Sequence, residues 1–239
     1  MKTIVALDFK SVDEVKNFLI KFQNEKLQNY AKENNLEYEK PYFKVGMWLY
    51  YTAGDEILKY LQEYKIFLDL KLIDIPNTIY NASLSLMQKN IDILSIHSFA
   101  GLNSLKAARK AKEELNSKCE LFGISILTSL NEDDLKNDLM LKTNMQESVK
   151  QRINILNKAN FDGVVCSAYE AHLLKDTKLK ALCPGIRFKN QESNDQERVA
   201  SPKFAKENNI DYIVAGRMIT NSKDPIRAYF NCIKGEEYE

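Results

Sequence analysis

The chain has 239 residues, enough for one large domain or two small ones with a sizeable buried core. Lys and Arg number 34 against 33 Asp and Glu, so no basic excess supplies the electrostatic footprint of a general nucleic-acid binder. With 44% hydrophobic residues and only 8 Gly and 5 Pro, none clustered, the composition excludes a collagenous, linker-rich or disordered chain.

The first apolar run, Ile4-Val5-Ala6-Leu7, is cut by Asp8, far short of a signal-peptide core. It opens a series of short β-rich runs that predict strands near Thr3–Phe9, Tyr42–Met47, Lys65–Lys71, Ile93–Phe99, Glu120–Ser129, Gly163–Ala168, Lys180–Ile186 and Tyr212–Ile219. Each is nearly all apolar until its C-terminal end, the pattern of parallel strands covered on both faces. Helical patterns fill the gaps. The first starts after Ser11, an N-cap residue, with an apolar stripe of Val12, Val15, Phe18, Leu19 and Phe22. Others are predicted near Ala53–Glu63, Thr78–Lys89, Ser104–Asn116, Gln146–Ala159, Tyr169–Lys175, Val199–Asn208 and Pro225–Lys234, the last with proline in its first turn.

Eight βα units in this length predict an α/β chain forming a single (β/α)8 TIM barrel over residues 1–239. A doubly wound sheet usually closes with fewer strands. The polar segment Gln23–Lys40 reads as a surface excursion or helix extension at the non-catalytic end of the barrel. The most apolar later stretch, Leu121 to Leu130, is about half of the roughly 20 residues a bilayer span requires, so a soluble, cytoplasmic protein is expected. Cys119, Cys166, Cys183 and Cys232 are widely spaced, and the chain has two histidines; reduced thiols, with no structural zinc, are the simplest reading.

In such a barrel the chemistry sits at the C-terminal ends of the strands. Seven of the eight predicted strands carry polar or charged residues in or next to their C-terminal parts: Asp8, Lys44 inside the second, Asp69 with Lys71, His97, Thr128 with Ser129, Arg187 just after the seventh, and Arg217. The densest set is Asp69-Leu70-Lys71-Leu72-Ile73-Asp74. Positions i and i+2 of a strand share a face, so Asp69 and Lys71 point together while Leu70 points away. Lys44 on the neighbouring strand and Asp74 just beyond would extend them into a row of alternating charge, with the carboxylates favouring an ammonium at Lys71. Spacing alone leaves open whether this row is catalytic or a structural ion-pair cluster.

The segment DLKLIDIPNT resembles the signature of the orotidine 5′-phosphate decarboxylase family. The resemblance extends in order along the chain through VALDF (Val5–Phe9), FKVGMWLYY (Phe43–Tyr51), IHSFAG (Ile96–Gly101), SILTS (Ser125–Ser129), CPGIRF (Cys183–Phe188), NDQERVASP (Asn194–Pro202) and VAGRMIT (Val214–Thr220). It implies a homodimeric barrel, without metal or organic cofactor, that converts orotidine 5′-phosphate to UMP, the last step of de novo pyrimidine nucleotide synthesis. By the same resemblance Lys71 would protonate C6 as carbon dioxide leaves, and Asp69 would sit beside the departing carboxylate and hold Lys71 charged. Asp8 and Lys44 would meet the ribose, and Asp74 and Thr78 would reach the ribose bound in the partner subunit. Thr128 or Ser129 would recognise the pyrimidine. Arg187, Gln196, Gly216 and Arg217 would form the phosphate end, with Gln196 on a closing loop over Gly185–Pro202. Ile73 stands where many members of the family have histidine, which removes one polar contact. His97 is expected to pack and hydrogen-bond rather than exchange protons, and His172 to be incidental.

Metal-dependent barrel enzymes acting on keto-sugar phosphates share the Asp-x-Lys-x-x-Asp spacing but lack the Ile75-Pro76-Asn77-Thr78 continuation and the later loop motifs. A catalytically silent nucleotide binder would have lost Asp69, Lys71 or Asp74, all present here. The chain closes soon after its last helix pattern, so a free-standing enzyme is expected rather than half of a fusion.

Overall fold

The computed structural model describes residues 1–188 and 199–237. Its strands are β1 (Lys2–Ala6), β2 (Tyr42–Gly46), β3 (Lys65–Leu72), β4 (Ile93–His97), β5 (Glu120–Ile124), β6 (Gly163–Val165), β7 (Lys180–Cys183) and β8 (Tyr212–Ala215). All pair in parallel, in sequence order, and β8 returns to β1 through registers such as Val5↔Ala215, closing the expected barrel.

The strand pattern is apolar throughout because both faces are covered, by different partners. Ile4, Ala6, Phe67, Ile93, Phe122 and Val214 point inward and fill the barrel. Their neighbours Val5, Phe43, Leu68 and Leu94 point outward against the helices. Period-two alternation therefore carries Asp8, Lys44, Asp69, Ser95 and His97 onto the inner face as each strand approaches its C-terminal end. The opposite end is plugged by Tyr42, Tyr212 and Phe122 in edge-on contact, with the Tyr212 hydroxyl donating to Glu120 at 2.9 Å. Burial pushes the Tyr42 phenol up to about 12.

The helices are α1 (Val12–Lys21), α2 (Asn24–Glu33), α3 (Met47–Ala53), α4 (Glu56–Tyr60), α5 (Pro76–Met87), α6 (Leu102–Glu114), α7 (Glu132–Asn137), α8 (Met145–Lys158), α9 (Pro202–Glu207), α10 (Arg217–Thr220) and α11 (Pro225–Lys234). Ser11 caps α1 as expected, its hydroxyl accepting the Glu14 N–H at 3.2 Å, and α1 buries Val15 and Phe18. Pro225 opens α11, where the Asp224 carboxylate accepts the Arg227 N–H at 3.0 Å.

Several boundaries differ from the sequence reading. Polar segment 23–40 contains the full helix α2, whose Leu27 and Ala31 are buried. Tyr30 stacks on Phe230 of α11 at 5.0 Å, and Phe22, just before α2, meets Tyr229 edge-on at 5.4 Å. The helix expected over Ala53–Glu63 is two helices, because Gly54 adopts φ +58° and ends α3. Tyr169–Lys175 is realised as a 3-10 helix over Ala168–Leu174. The fifth strand stops at Ile124, so Thr128 and Ser129 lie in the loop before α7. That helix was not expected; it starts at a capping box between Asn131 and Asp134. The eighth strand stops at Ala215, and Arg217 opens α10 rather than ending a strand. Among the described residues no helix is long and apolar enough to cross a membrane.

β3 departs from regular pairing. Phe67 and Leu68 face Ile93 and Leu94, but the next partner of Ile96 is Leu72, so β3 carries two more residues than β4 over this stretch. The surplus is absorbed at Lys71, whose φ is +48°. That left-handed conformation is rare and costly for a residue with a Cβ.

Candidate active site

A cavity of about 340 Å³ opens at the C-terminal end of the barrel. Nine of the residues expected in the site line it: Asp8, Lys44, Asp69, Lys71, Thr128, Ser129, Arg187, Gly216 and Arg217. Ala6, Phe67, Ile124, Val165, Leu182 and Val214, the top of the barrel filling, form an apolar floor and wall. Gln196 lies outside the described residues, as does most of the loop expected to close over the site.

The ionic end is organised around Asp69, which is buried at 6% exposure. One oxygen, Oδ2, meets Lys71 Nζ at 2.7 Å and Lys44 Nζ at 3.9 Å, while Lys44 also donates to Asp8 Oδ1 at 3.0 Å. The other, Oδ1, accepts the hydroxyl of Ser95 at 2.8 Å. Burial alone would push the Asp69 carboxyl upward. The charges of Lys44 and Lys71 and the hydrogen bonds from Lys71 and Ser95 outweigh that and hold it below the usual carboxylate range. The buried carboxylate between Lys71 and Lys44 thus fixes where the Lys71 Nζ stands at this side of the cavity. At the other side of the cavity stand Arg187, whose Nη1 donates to the Ile186 carbonyl at 2.8 Å, and Arg217. The cavity lining thus combines lysines and carboxylates, an apolar wall, and two arginines.

The expected four-membered charge row is not closed within one chain. Lys44, Asp69 and Lys71 come together, but Asp74 does not line the cavity. β3 ends at Leu72, and the bulge carries the chain over the rim. Asp74 is exposed there, its carboxylate accepting the N–H of Ile75 at 2.7 Å and its carbonyl accepting from Ser104 at 2.8 Å. Thr78, in the first turn of α5, is likewise exposed and outside the cavity.

His97 ends β4 as expected. Its Nδ1 accepts the Phe99 N–H at 3.4 Å, and Arg152 of α8 lies over the Phe99 ring. Burial, then the charges of Lys71 and Arg152, pushes the His97 imidazole below its ordinary value, which leaves it neutral near pH 7. His172 lies on the surface, its Nδ1 at 2.9 Å from the Tyr169 carbonyl. All four cysteines are buried free thiols, and burial pushes Cys119 up to about 12. Among the described residues no three His, Cys, Asp or Glu side chains gather as a metal-ligand set. The residue that sequence reasoning missed is Ser95, hidden as a small residue inside the apolar run of β4.

A family model described as "Orotidine 5′-phosphate decarboxylase / HUMPS family" matches residues 1–231. A Streptococcus pyogenes protein (serotype M18, strain MGAS8232) named orotidine 5′-phosphate decarboxylase is 41% identical, across 98% of this chain and 97% of its own. A Malacoplasma penetrans (strain HF-2) protein of the same name is 37% identical across 95% of each chain. The crystal structure of orotidine 5′-phosphate decarboxylase from Lactobacillus acidophilus is similar with a TM-score of 0.82 and 32% identity, covering 98% of both chains. With its barrel, its Asp69–Lys71 pair and a match spanning nearly its whole length, the chain belongs to the orotidine 5′-phosphate decarboxylase / HUMPS family.

Proposed function

We propose that this protein removes carbon dioxide from orotidine 5′-phosphate to give UMP, closing de novo pyrimidine nucleotide synthesis in the cytoplasm, with residues 1–239 acting as one catalytic domain. The observation that carries this reading is Lys71 Nζ held 2.7 Å from a buried Asp69 in a cavity that Arg217 also lines. The names of the relatives and the Asp74-Ile75-Pro76-Asn77-Thr78 continuation favour this substrate over a keto-sugar phosphate. Buried free thiols fit a reducing compartment.

In the reaction the C6–carboxylate bond breaks and its electron pair stays on C6. Carbon dioxide leaves, Lys71 gives C6 a proton, and Lys71 regains a proton from solvent. The developing carbanion has no adjacent carbonyl to absorb its charge fully. A preorganised ammonium in a water-poor chamber stabilises it and then quenches it. Asp69 keeps Lys71 aimed, Asp8 and Lys44 hold the ribose, Thr128 or Ser129 reads the pyrimidine, and Arg187, Gln196, Gly216 and Arg217 hold the phosphate. Phosphate is remote from C6, so its binding energy serves the reaction by driving closure of the 185–202 loop and expulsion of water.

The working form is a homodimer. Asp74 and Thr78 are exposed and outside their own cavity, beside exposed Ile73 and Ile75, and exposed Met47, Trp48 and Tyr51 follow the neighbouring strand β2. A second copy over this apolar rim would bury it and bring Asp74 and Thr78 to the partner's ribose.

Purified protein is expected to convert orotidine 5′-phosphate to UMP, followed by ultraviolet absorbance, at the same rate with and without EDTA. Absence of conversion by folded protein, or Mg²⁺-dependent turnover of a keto-sugar phosphate instead, would overturn the reading. Arg217→Ala should lower kcat/KM about 100-fold, since a charge-assisted guanidinium–phosphate contact is lost. An unchanged kcat/KM would remove Arg217 from the phosphate site.

A further inference from the structure

We infer that Ser95 is a positioning residue for the proposed decarboxylation, and that it sets the Asp69–Lys71 pair by clamping the carboxylate and the backbone of β3 with one hydroxyl. The inference rests on the reading of function above.

Ser95 lies in the middle of β4, between inward Ile93 and inward His97, and is fully buried. Its Oγ is 2.8 Å from Asp69 Oδ1 and 2.8 Å from the backbone nitrogen of Lys71. An N–H can only donate and an ionised carboxylate can only accept, so the directions are fixed: Lys71 N–H donates to the hydroxyl, and the hydroxyl donates to Asp69. Two consequences follow at once. Asp69 Oδ1 is occupied, which leaves Oδ2 for Lys71 and Lys44. The Lys71 N–H, displaced from regular pairing with β4 by the two surplus residues of β3, is satisfied by a side chain instead.

That second bond bears on an unusual backbone. Seven described residues other than glycine have positive φ, and five of them are asparagine, which tolerates this conformation. Lys71 does so within a strand, with no residue-specific preference to favour it. The Ser95 hydroxyl is the group that meets its amide there. Without it, a buried N–H and a buried carboxylate oxygen would both lack their partner. The cheapest relief is rotation of Asp69 together with a return of Lys71 to extended backbone, which moves Nζ away from where C6 would sit. Ser95 does not line the cavity, so it acts through Asp69 and Lys71 rather than on substrate.

The test is Ser95→Ala, assayed for decarboxylation beside the wild type, with thermal melting as the folding control. kcat should fall about 10- to 100-fold, the loss expected for one hydrogen bond to a charged group, with KM changed less than about threefold. The pH profile of kcat separates positioning from mere support of the fold. The groups facing Asp69 are Lys44 from β2 with Asp8 behind it, Lys71 on its own strand, and Ser95 from β4. Only the last changes, and its bond favours the ionised carboxylate, so its removal raises the Asp69 pKa. Activity needs Asp69 ionised; the acid limb of kcat should therefore move to higher pH. A crystal structure of the variant should show Lys71 out of the left-handed region. A folded Ser95→Ala with wild-type kcat, an unmoved acid limb and Lys71 still near its present φ would overturn the inference. If Ser95→Ala does not fold, Ser95→Cys, isosteric with a weaker donor, is read by the same criteria. Wild-type protein inactive on orotidine 5′-phosphate would sink the functional reading itself, whereas active wild type with an indifferent Ser95→Ala sinks only the role of Ser95.

Discussion

Lys71→Ala should lower kcat for orotidine 5′-phosphate by at least about ten-thousand-fold, with UMP binding and the fold largely retained. Two separate contributions vanish together. A positioned proton donor is worth about 100- to 10,000-fold, and a fixed charge aimed at a developing anion about 100- to 1,000-fold more. What remains is worse than neutral for the reaction: Asp69 stays ionised beside the site, still held by Ser95 at 2.8 Å and Lys44 at 3.9 Å, with no proton to pass on. Those two surviving partners are also why the fold tolerates the change. Stripping a buried ion of its partner costs about 3–5 kcal/mol, and the loss here should fall below that range because Lys44 stays in place. Steady-state absorbance assays, UMP titration and thermal melting together check the expectation. Turnover within tenfold of wild type would remove Lys71 as proton donor.

Mixing Lys71→Ala and Asp74→Ala subunits, each nearly inactive alone, should restore up to about a quarter of wild-type activity. In a randomly exchanged equal mixture about half of the dimers are hybrids. Each hybrid holds one site with an intact Lys71 and, reaching in from the other subunit, an intact Asp74. The second site of the same dimer lacks both. The arithmetic is specific to action across the interface: were Asp74 to serve its own cavity, no site in any dimer would be whole. Its exposed position at the rim, outside the cavity that holds Lys71, is the geometric ground for expecting recovery. Activity is read after subunit exchange is demonstrated by mass or by affinity tag. Exchange without recovery would end the shared-site reading.

Much of this architecture is legible in the sequence because parallel barrel strands have apolar neighbours on both faces. Runs such as Ile4–Leu7 and Ile66–Leu68 therefore stand out, and the polar residues at their ends mark the open end of the barrel. Strand ends are less legible where apolar residues continue past them for another reason. Ile126 and Leu127 follow β5 as cavity wall, and Met218 and Ile219 follow β8 as the buried side of α10. Periodicity cannot separate such short segments from strand. Helix α2 was masked by composition, since Leu27, Tyr30 and Ala31 share a face that the surrounding Lys, Glu and Asn dilute. In the site, Asp69 and Lys71 share a side as the alternation requires. Asp74 does not join them, because it lies beyond the end of β3 at Leu72 and at an odd spacing from both. Ser95 carried no signal at all. Its importance depends on the left-handed turn at Lys71, and lysine, unlike glycine or asparagine, does not announce such a turn.

The stacking of Tyr30 on Phe230 and of Phe22 against Tyr229 has a bearing on how the protein is made. Ribosomes deliver the chain from its N-terminus at roughly 5–20 residues per second, and about 200 residues separate Tyr30 from its partner, so the aromatic side of the first two helices waits roughly 10–40 s for its cover. During that interval β1 also has a free edge, since its second neighbour is the last strand to emerge. The N-terminal elements are therefore the ones that wait longest for their partners. The wait ends only when α11 has emerged and docks against α2, which makes α11 a latch of the barrel.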